Sequence, residues 1–248
     1  MTEVFIGGVL GKMGRQVTAM MAETPDLTVV GGLAPEAAAP TAFPVFAQLD
    51  QIDVTADVWV DFTIPTAARA NAEYALTHGM DVVIGTSGLK QADETALGEL
   101  AQAKGKHALI VPNFAISAVL MMQFAAKAAK YFPDAEVVEV HHSDKLDAPS
   151  GTARATAKLI SQARQHKPLA PHQEAPARGE WLDDVPVHAL RLPGYVAQEE
   201  VLFGATGESL SIKQVSFDRS SFMAGVALAV RQVAKLPAAL TIGLDSLL

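Results

Sequence analysis

The first half of the chain alternates short β-branched runs with longer segments whose apolar residues recur at helical spacing. Val4-Phe5-Ile6 reads as a buried strand that begins almost at the first residue, because a short continuous apolar run suits a strand covered on both faces. Between residues 11 and 23, Met13, Val17, Met20 and Met21 fall on one helical stripe. Thr24-Pro25-Asp26 breaks that helix, and Leu27-Thr28-Val29-Val30 reads as the second strand. Residues 31–44, rich in Ala, Pro and Gly, are expected as a loop. Strands at 58–62, 82–84 and 108–111 then alternate with helices at 66–78 and 91–104. Strands separated by helices imply right-handed crossovers and a parallel, doubly wound sheet of Rossmann type.

After Asn113 the rhythm changes. A long helix over 117–131 leads to a strand at 136–142 and to a helix starting near Ser150; residues 168–184 are expected as a long polar loop. Strands at 187–192, 199–204 and 209–215 follow, then a helix at 221–235 and a tail. This order predicts a second, α+β domain with a mostly antiparallel sheet and helices on one face.

Composition narrows the class. The chain has 248 residues, half of them apolar and 19% charged, as a folded protein requires. A net charge of −8 argues against non-specific nucleic-acid binding, which needs a basic face. With no cysteine, disulfides, thiolate metal sites and cysteine nucleophiles are excluded. No signal peptide is legible, and the apolar runs fall short of a membrane span. A cytoplasmic protein with no membrane partner is expected.

The first chemical constellation is Gly8-Val9-Leu10-Gly11-Lys12-Met13-Gly14, set between a strand and a helix. Glycines there let a ligand approach the backbone, and the free N–H groups of the helix start can hold a pyrophosphate. The ribose end offers no carboxylate at the close of the second strand; Gly31-Gly32-Leu33-Ala34-Pro35 occupies it and the nearest acid is Glu36. Lys12 or Arg15 could reach a 2′-phosphate, so NADH and NADPH both stay open. Asp61-Phe62-Thr63, Gly85-Thr86-Ser87-Gly88 and Val111-Pro112-Asn113-Phe114 each close a predicted parallel strand, where such sheets bind ligands.

The second constellation is the run from His141 to Thr152. Strand alternation sends His141 and His142 to opposite faces. Ser150 reads as an N-cap, and the N–H groups of the Ser150-Gly151-Thr152 helix start, with Lys145, form a pocket suited to carboxylates. A histidine beside them is a candidate proton donor, since imidazole titrates near neutrality. No third ligand stands at a metal-binding spacing, so no metal is expected.

These motifs, above all Glu139-x-His141-His142-x-x-Lys145-x-Asp147-Ala148-Pro149-Ser150-Gly151-Thr152-Ala153, resemble the 4-hydroxy-tetrahydrodipicolinate (dihydrodipicolinate) reductase family of lysine and diaminopimelate synthesis. The resemblance runs in order along nearly the whole chain. It implies that His141 is the proton donor and acceptor and Lys145 a second proton donor. It implies that His142, Gly151 and Thr152 bind a small dicarboxylate. It further implies NADH or NADPH bound by residues 8–13, by Gly85, Thr86 and Ser87, and by Val111 to Phe114. The resemblance also implies a homotetramer joined through the second domain's sheets. A returning C-terminal helix would give a dinucleotide domain of residues 1–115 plus 218–248 and a substrate domain of 116–217. Three positions depart from the pattern: Leu10 for a glycine, Ala34 for an acid after the second strand, and Glu199 for a histidine. The alternatives are a related reductase or dehydrogenase acting on another small acid, and a non-catalytic NAD(H) sensor.

Overall fold

The computed structural model describes residues 1–35, 41–169 and 175–248. Its first elements are β1 (Thr2–Gly7), α1 (Lys12–Ala22), β2 (Leu27–Leu33), β3 (Val45–Phe46), β4 (Val58–Asp61), α2 (Pro65–Thr77), β5 (Asp81–Ile84), α3 (Gln91–Lys104) and β6 (Ala108–Ile110). The next are α4 (Ile116–Ala128), β7 (Asp134–His141), α5 (Gly151–Ala163), β8 (Glu180–Leu182), β9 (Val185–Arg191), β10 (Ala197–Ala205) and β11 (Glu208–Ser216). The chain closes with α6 (Met223–Gln232) and β12 (Leu240–Ile242). Two compact units result, Met1–Phe114 with Phe222–Leu248, and Ala115–Ser221. No helix among the described residues is long and apolar enough to cross a membrane.

The first unit holds a seven-stranded sheet in the order β12-β6-β5-β4-β1-β2-β3, parallel at every pairing. Phe5, Trp59, Val82, Ile84, Ala108 and Ile110 pack with Ala72, Leu76 and Leu97 of α2 and α3. Alternation turns the equally buried Val4, Ile6, Val60, Val83 and Leu109 to the other face. Burial on both faces is why these strands read as unbroken apolar runs.

Three expectations need correction. β2 continues to Leu33 rather than ending at Val30, because β3 pairs with Gly32 and Leu33. Glycine suits that extension, since a Cβ on Gly32 would stand 2.6 Å from the Val9 side chain. The expected 168–184 loop contains β8, a hairpin partner of β9, and the expected tail contains β12, which joins the parallel sheet beside β6. β3, β8 and β12 are two or three residues long, too short to show a period. Glu36 and residues 170–174 lie outside the described residues.

The second unit carries a five-stranded mixed sheet, β11-β10-β7-β9-β8, in which only β7 and β9 run parallel. Val137, Val187, Val201 and Phe203 are buried on the sheet, with Ala153, Ala157 and Ile160 of α5 and Val119 and Met122 of α4. The register sets Glu139 opposite Glu199 on one side, and His141 opposite Arg191 on the other. That register places the second site.

Candidate active site

In the first unit β1 ends in a tight turn. Gly8 has φ 77°, its N–H donates to the Leu33 carbonyl at 2.9 Å, and the Gly11 N–H donates to the Gly8 carbonyl at 2.9 Å. A Cβ on Gly8 would lie 2.6 Å from the Phe62 carbonyl oxygen, and one on Gly14 2.2 Å from the Gly8 carbonyl oxygen. Backbone this close leaves no room for side chains, so α1 starts directly above the strand end. Gly11 caps α1 with no side-chain hydrogen bond, and no acid stands in its first turn. The helix start therefore presents unpaired N–H groups and its positive dipole end. A cavity of about 540 Å³ opens there, lined by Gly8, Leu10, Gly11, Leu33, Ala34, Pro35 and Thr63 among others. Its size and the bare amides fit a dinucleotide with its pyrophosphate on α1.

Around this cavity the sequence candidates divide. Leu10 and Gly11 line it, Lys12 is exposed on the first turn and Met13 is half-buried. Val9 turns its side chain inward against Gly32, leaving only backbone to a ligand. The Arg15 Nε is engaged by the Leu10 carbonyl at 2.8 Å. Asp61, fully buried, ties the ends of β4 and β5 together: its carboxylate accepts from the hydroxyls of Thr63 (2.6 Å) and Thr86 (2.8 Å), the Asn71 amide (2.9 Å) and the Trp59 indole (3.2 Å). Thr86 thus spends its hydroxyl on the fold. Ser87 and Pro112 are exposed, Gly85 and Asn113 half-buried, and Val111 and Phe114 buried, Phe114 with its ring 5.5 Å from that of Phe62.

In the second unit the centre is Glu139. Its carboxylate is fully buried and receives four hydrogen bonds: from His141 Nδ1 (2.6 Å), from two Arg191 nitrogens (2.8 and 2.9 Å) and from the Ser150 amide (3.0 Å). Burial alone would raise this carboxyl; the bonds from His141, Arg191 and Ser150 outweigh it and hold it at about 2. A permanent carboxylate can only accept, so His141 Nδ1 carries a hydrogen and Nε2 is the nitrogen left for chemistry. Arg191 also donates to the carbonyls of Asp147 (2.7 Å) and Lys145 (3.3 Å). One guanidinium therefore braces both the histidine's partner and the loop that carries Lys145.

The profile described as "Dihydrodipicolinate reductase, N-terminus" matches residues 2–114, and "Dihydrodipicolinate reductase, C-terminus" matches 117–248. The chain belongs to the dihydrodipicolinate reductase family. It is 47% identical to the 4-hydroxy-tetrahydrodipicolinate reductase of Lactiplantibacillus plantarum over all of both chains. It is 47% identical to that of Enterococcus faecalis, over 94% of this chain and 95% of the other. Among solved structures, the dipicolinate-bound dihydrodipicolinate reductase of Paenisporosarcina sp. TG-14 aligns over all of both chains, with TM-score 0.89 and 37% identity.

The remaining candidates lie between the end of β7 and the first turn of α5. Ser150 caps the helix, its Oγ accepting from the Ala153 amide at 3.2 Å. Gly151 is the first helical residue and exposed, and Thr152 is half-buried. Lys145 Nζ donates to both oxygens of the exposed Asp147, at 2.7 and 2.8 Å. His142 lies beyond the end of β7, exposed, with Nδ1 3.5 Å from Asp144. Two residues were missed by sequence reasoning as members of this site. Glu139 was legible as an acid two positions from His141, hence on the same strand face. Arg191 carried no signal, because only the pairing of β7 with β9 brings it to Glu139.

Proposed function

We propose that this member of the dihydrodipicolinate reductase family reduces 4-hydroxy-tetrahydrodipicolinate to tetrahydrodipicolinate in lysine and diaminopimelate synthesis, using NADH or NADPH. The observation that carries the reading is the His141–Glu139–Arg191 array at the start of α5, a proton-carrying imidazole oriented beside a helix start able to hold a carboxylate. Replacing a ring hydroxyl by hydrogen consumes one hydride and one proton and releases water. The bound nicotinamide supplies the hydride. His141 Nε2, with Nδ1 anchored on Glu139, is aimed to handle the proton, and Lys145 is the second donor. The ammonium of Lys145 and the α5 N-terminus offset the charge of a dicarboxylate, which buried without partners would cost several kcal/mol. Gly8 to Met13 hold the pyrophosphate, with Gly85, Ser87 and the backbone of Val111 to Phe114 at the neighbouring strand ends. We also infer a homotetramer joined through the second unit's sheet; the outer face, opposite Glu139, exposes Leu190 and Leu202. Sedimentation at equilibrium tests that assembly.

The decisive assay couples pyruvate and aspartate semialdehyde through the preceding synthase and follows absorbance of NADH and NADPH separately. Substrate-dependent oxidation of either supports the reading; binding of the cofactor without oxidation removes it. A sharper test uses Gly151. A Cβ there would meet nothing within 4 Å, so the fold itself does not need glycine. Gly151→Ala should raise the substrate KM about tenfold by crowding the carboxylate, while the melting temperature does not fall. An unchanged KM would move the substrate away from α5.

A further inference from the structure

Glu199 has no part in the reaction as derived above, yet it is among the most deeply buried polar groups of the second unit, 2% exposed. It stands directly opposite Glu139 across the antiparallel pair of β7 and β10, so the two carboxyl groups share one face of the sheet. The hydrogen-bond donors go to Glu139: the Arg191 guanidinium, the His141 ring and the Ser150 amide all bind there. Glu199 has one hydrogen-bond partner, Thr156 Oγ1 at 2.5 Å, and its Oε2 has none among the described residues.

The groups around it supply no charge to balance a second carboxylate. From β11 its register partner is Gln214, a neutral amide that donates to Ser216 at 2.8 Å. From α5 it meets Thr156, whereas Arg154 and Lys158 of that helix are exposed. From α4, which also packs on β10, the buried residues are apolar and Lys127 is exposed. From β7 come the negative charge of Glu139 and, two positions on, the ring of His141, which is engaged by Glu139.

The Thr156 hydroxyl has a single hydrogen and two acceptors within reach, Glu199 Oε1 and the Thr152 carbonyl at 3.0 Å, an atom that can only accept. A protonated Glu199 satisfies both contacts at once, the hydroxyl donating to the carbonyl and accepting from the carboxyl. Of two buried acids side by side, the one without cationic partners holds its proton to higher pH.

We infer that Glu199 is a positioning residue for the Glu139–His141–Arg191 array, a neutral acid that donates to Thr156 and leaves Glu139 the one carboxylate the array must satisfy. The inference rests on His141 being the proton-carrying group. Burial, reinforced by the charge of Glu139, pushes the Glu199 carboxyl up to about 7. Loss of that proton places a second negative charge beside Glu139, one that the array has no further cation to satisfy. A glutamine at 199 keeps the shape and never gains the charge.

The test compares wild type with Glu199→Gln as full-length protein. Infrared spectra of wild type labelled with ¹³C-glutamate should show a protonated carboxylic acid at about pH 6 that fades as pH rises through neutrality, and Glu199→Gln should lack it. The alkaline limb of kcat/KM should lie about half to one pH unit lower in Glu199→Gln, a loss of about three- to tenfold at its foot. The His141 ring resonances, followed without substrate, should move as Glu199 ionises near neutrality in wild type and lack that step in the variant. That difference in a protein that does not turn over 4-hydroxy-tetrahydrodipicolinate supports the inference and counts against the proposed function. Absence of the acid band in wild type, or superposed ring resonances and pH profiles, overturns the inference.

Discussion

Lys145→Ala lowers kcat by about 10²- to 10³-fold, the loss expected when a positioned proton donor is removed. The NADH dissociation constant should stay within about twofold, because the proposed pyrophosphate site is made of backbone amides of α1 in the first unit. Lys145 is set up for this role by its surroundings. Its backbone N–H donates to the His142 carbonyl at 3.2 Å, and its own carbonyl accepts from Arg191, so the loop is held at both ends of the residue. Its ammonium pairs with Asp147, whose carboxylate is exposed and therefore a weak competitor for a substrate anion. Lys145→Arg separates the two tasks. Arginine keeps the charge but does not release a proton near neutrality, so it should restore KM more fully than kcat. Steady-state kinetics with NADH fluorescence titration measures both, and wild-type turnover in Lys145→Ala would remove the residue from the site.

Glu139→Gln is expected to cost about 3–5 kcal/mol of stability, the range for breaking a buried ion pair by removing one partner. The amide places an N–H₂ against Arg191 or His141, donor against donor, and leaves a guanidinium without its counter-charge. Turnover should fall by about 10²-fold, since His141 loses the acceptor that fixes Nδ1–H. Urea denaturation at several pH values gives the sign. The folded Glu139 carboxyl sits at about 2 against an ordinary 4.5, so its contribution is complete above 4.5 and lost as pH falls toward 2. The gap between wild type and Glu139→Gln should therefore narrow with acidification. Glu199 predicts the opposite slope. Its folded carboxyl is raised to about 7, so it lowers wild-type stability progressively between 4.5 and 7. Glu199→Gln should be more stable than wild type at pH 8, by up to about 3 kcal/mol, and equal to it at pH 4. A gap independent of pH in either variant would contradict its assigned charge.

Most of the architecture was legible because it is written in local periods. β1, β4, β5 and β6 are continuous apolar runs since both faces are covered, and α3 spans the residues its pattern marks. The Ser150 cap and the glycine turn after β1 could be read the same way, from residue types a few positions apart. β3, β8 and β12, just as short as β6 but without its fully buried apolar run, gave no such signal and exist through their sheet partners rather than through their own sequence.

The side chains of the proposed site follow the same division. His141, Lys145 and the α5 start lie within a dozen residues, and chemistry alone nominates them. Arg191 stands 52 residues from Glu139 and Glu199 stands 43 from Thr156, and strand register with helix packing makes each pair. A period-2 pattern tells which face a side chain takes; it does not tell which strand lies alongside or at what offset. Hence the primary structure settled which groups carry charge and protons, whereas the folded sheet decided which of two acids keeps its negative charge, by giving one of them an arginine.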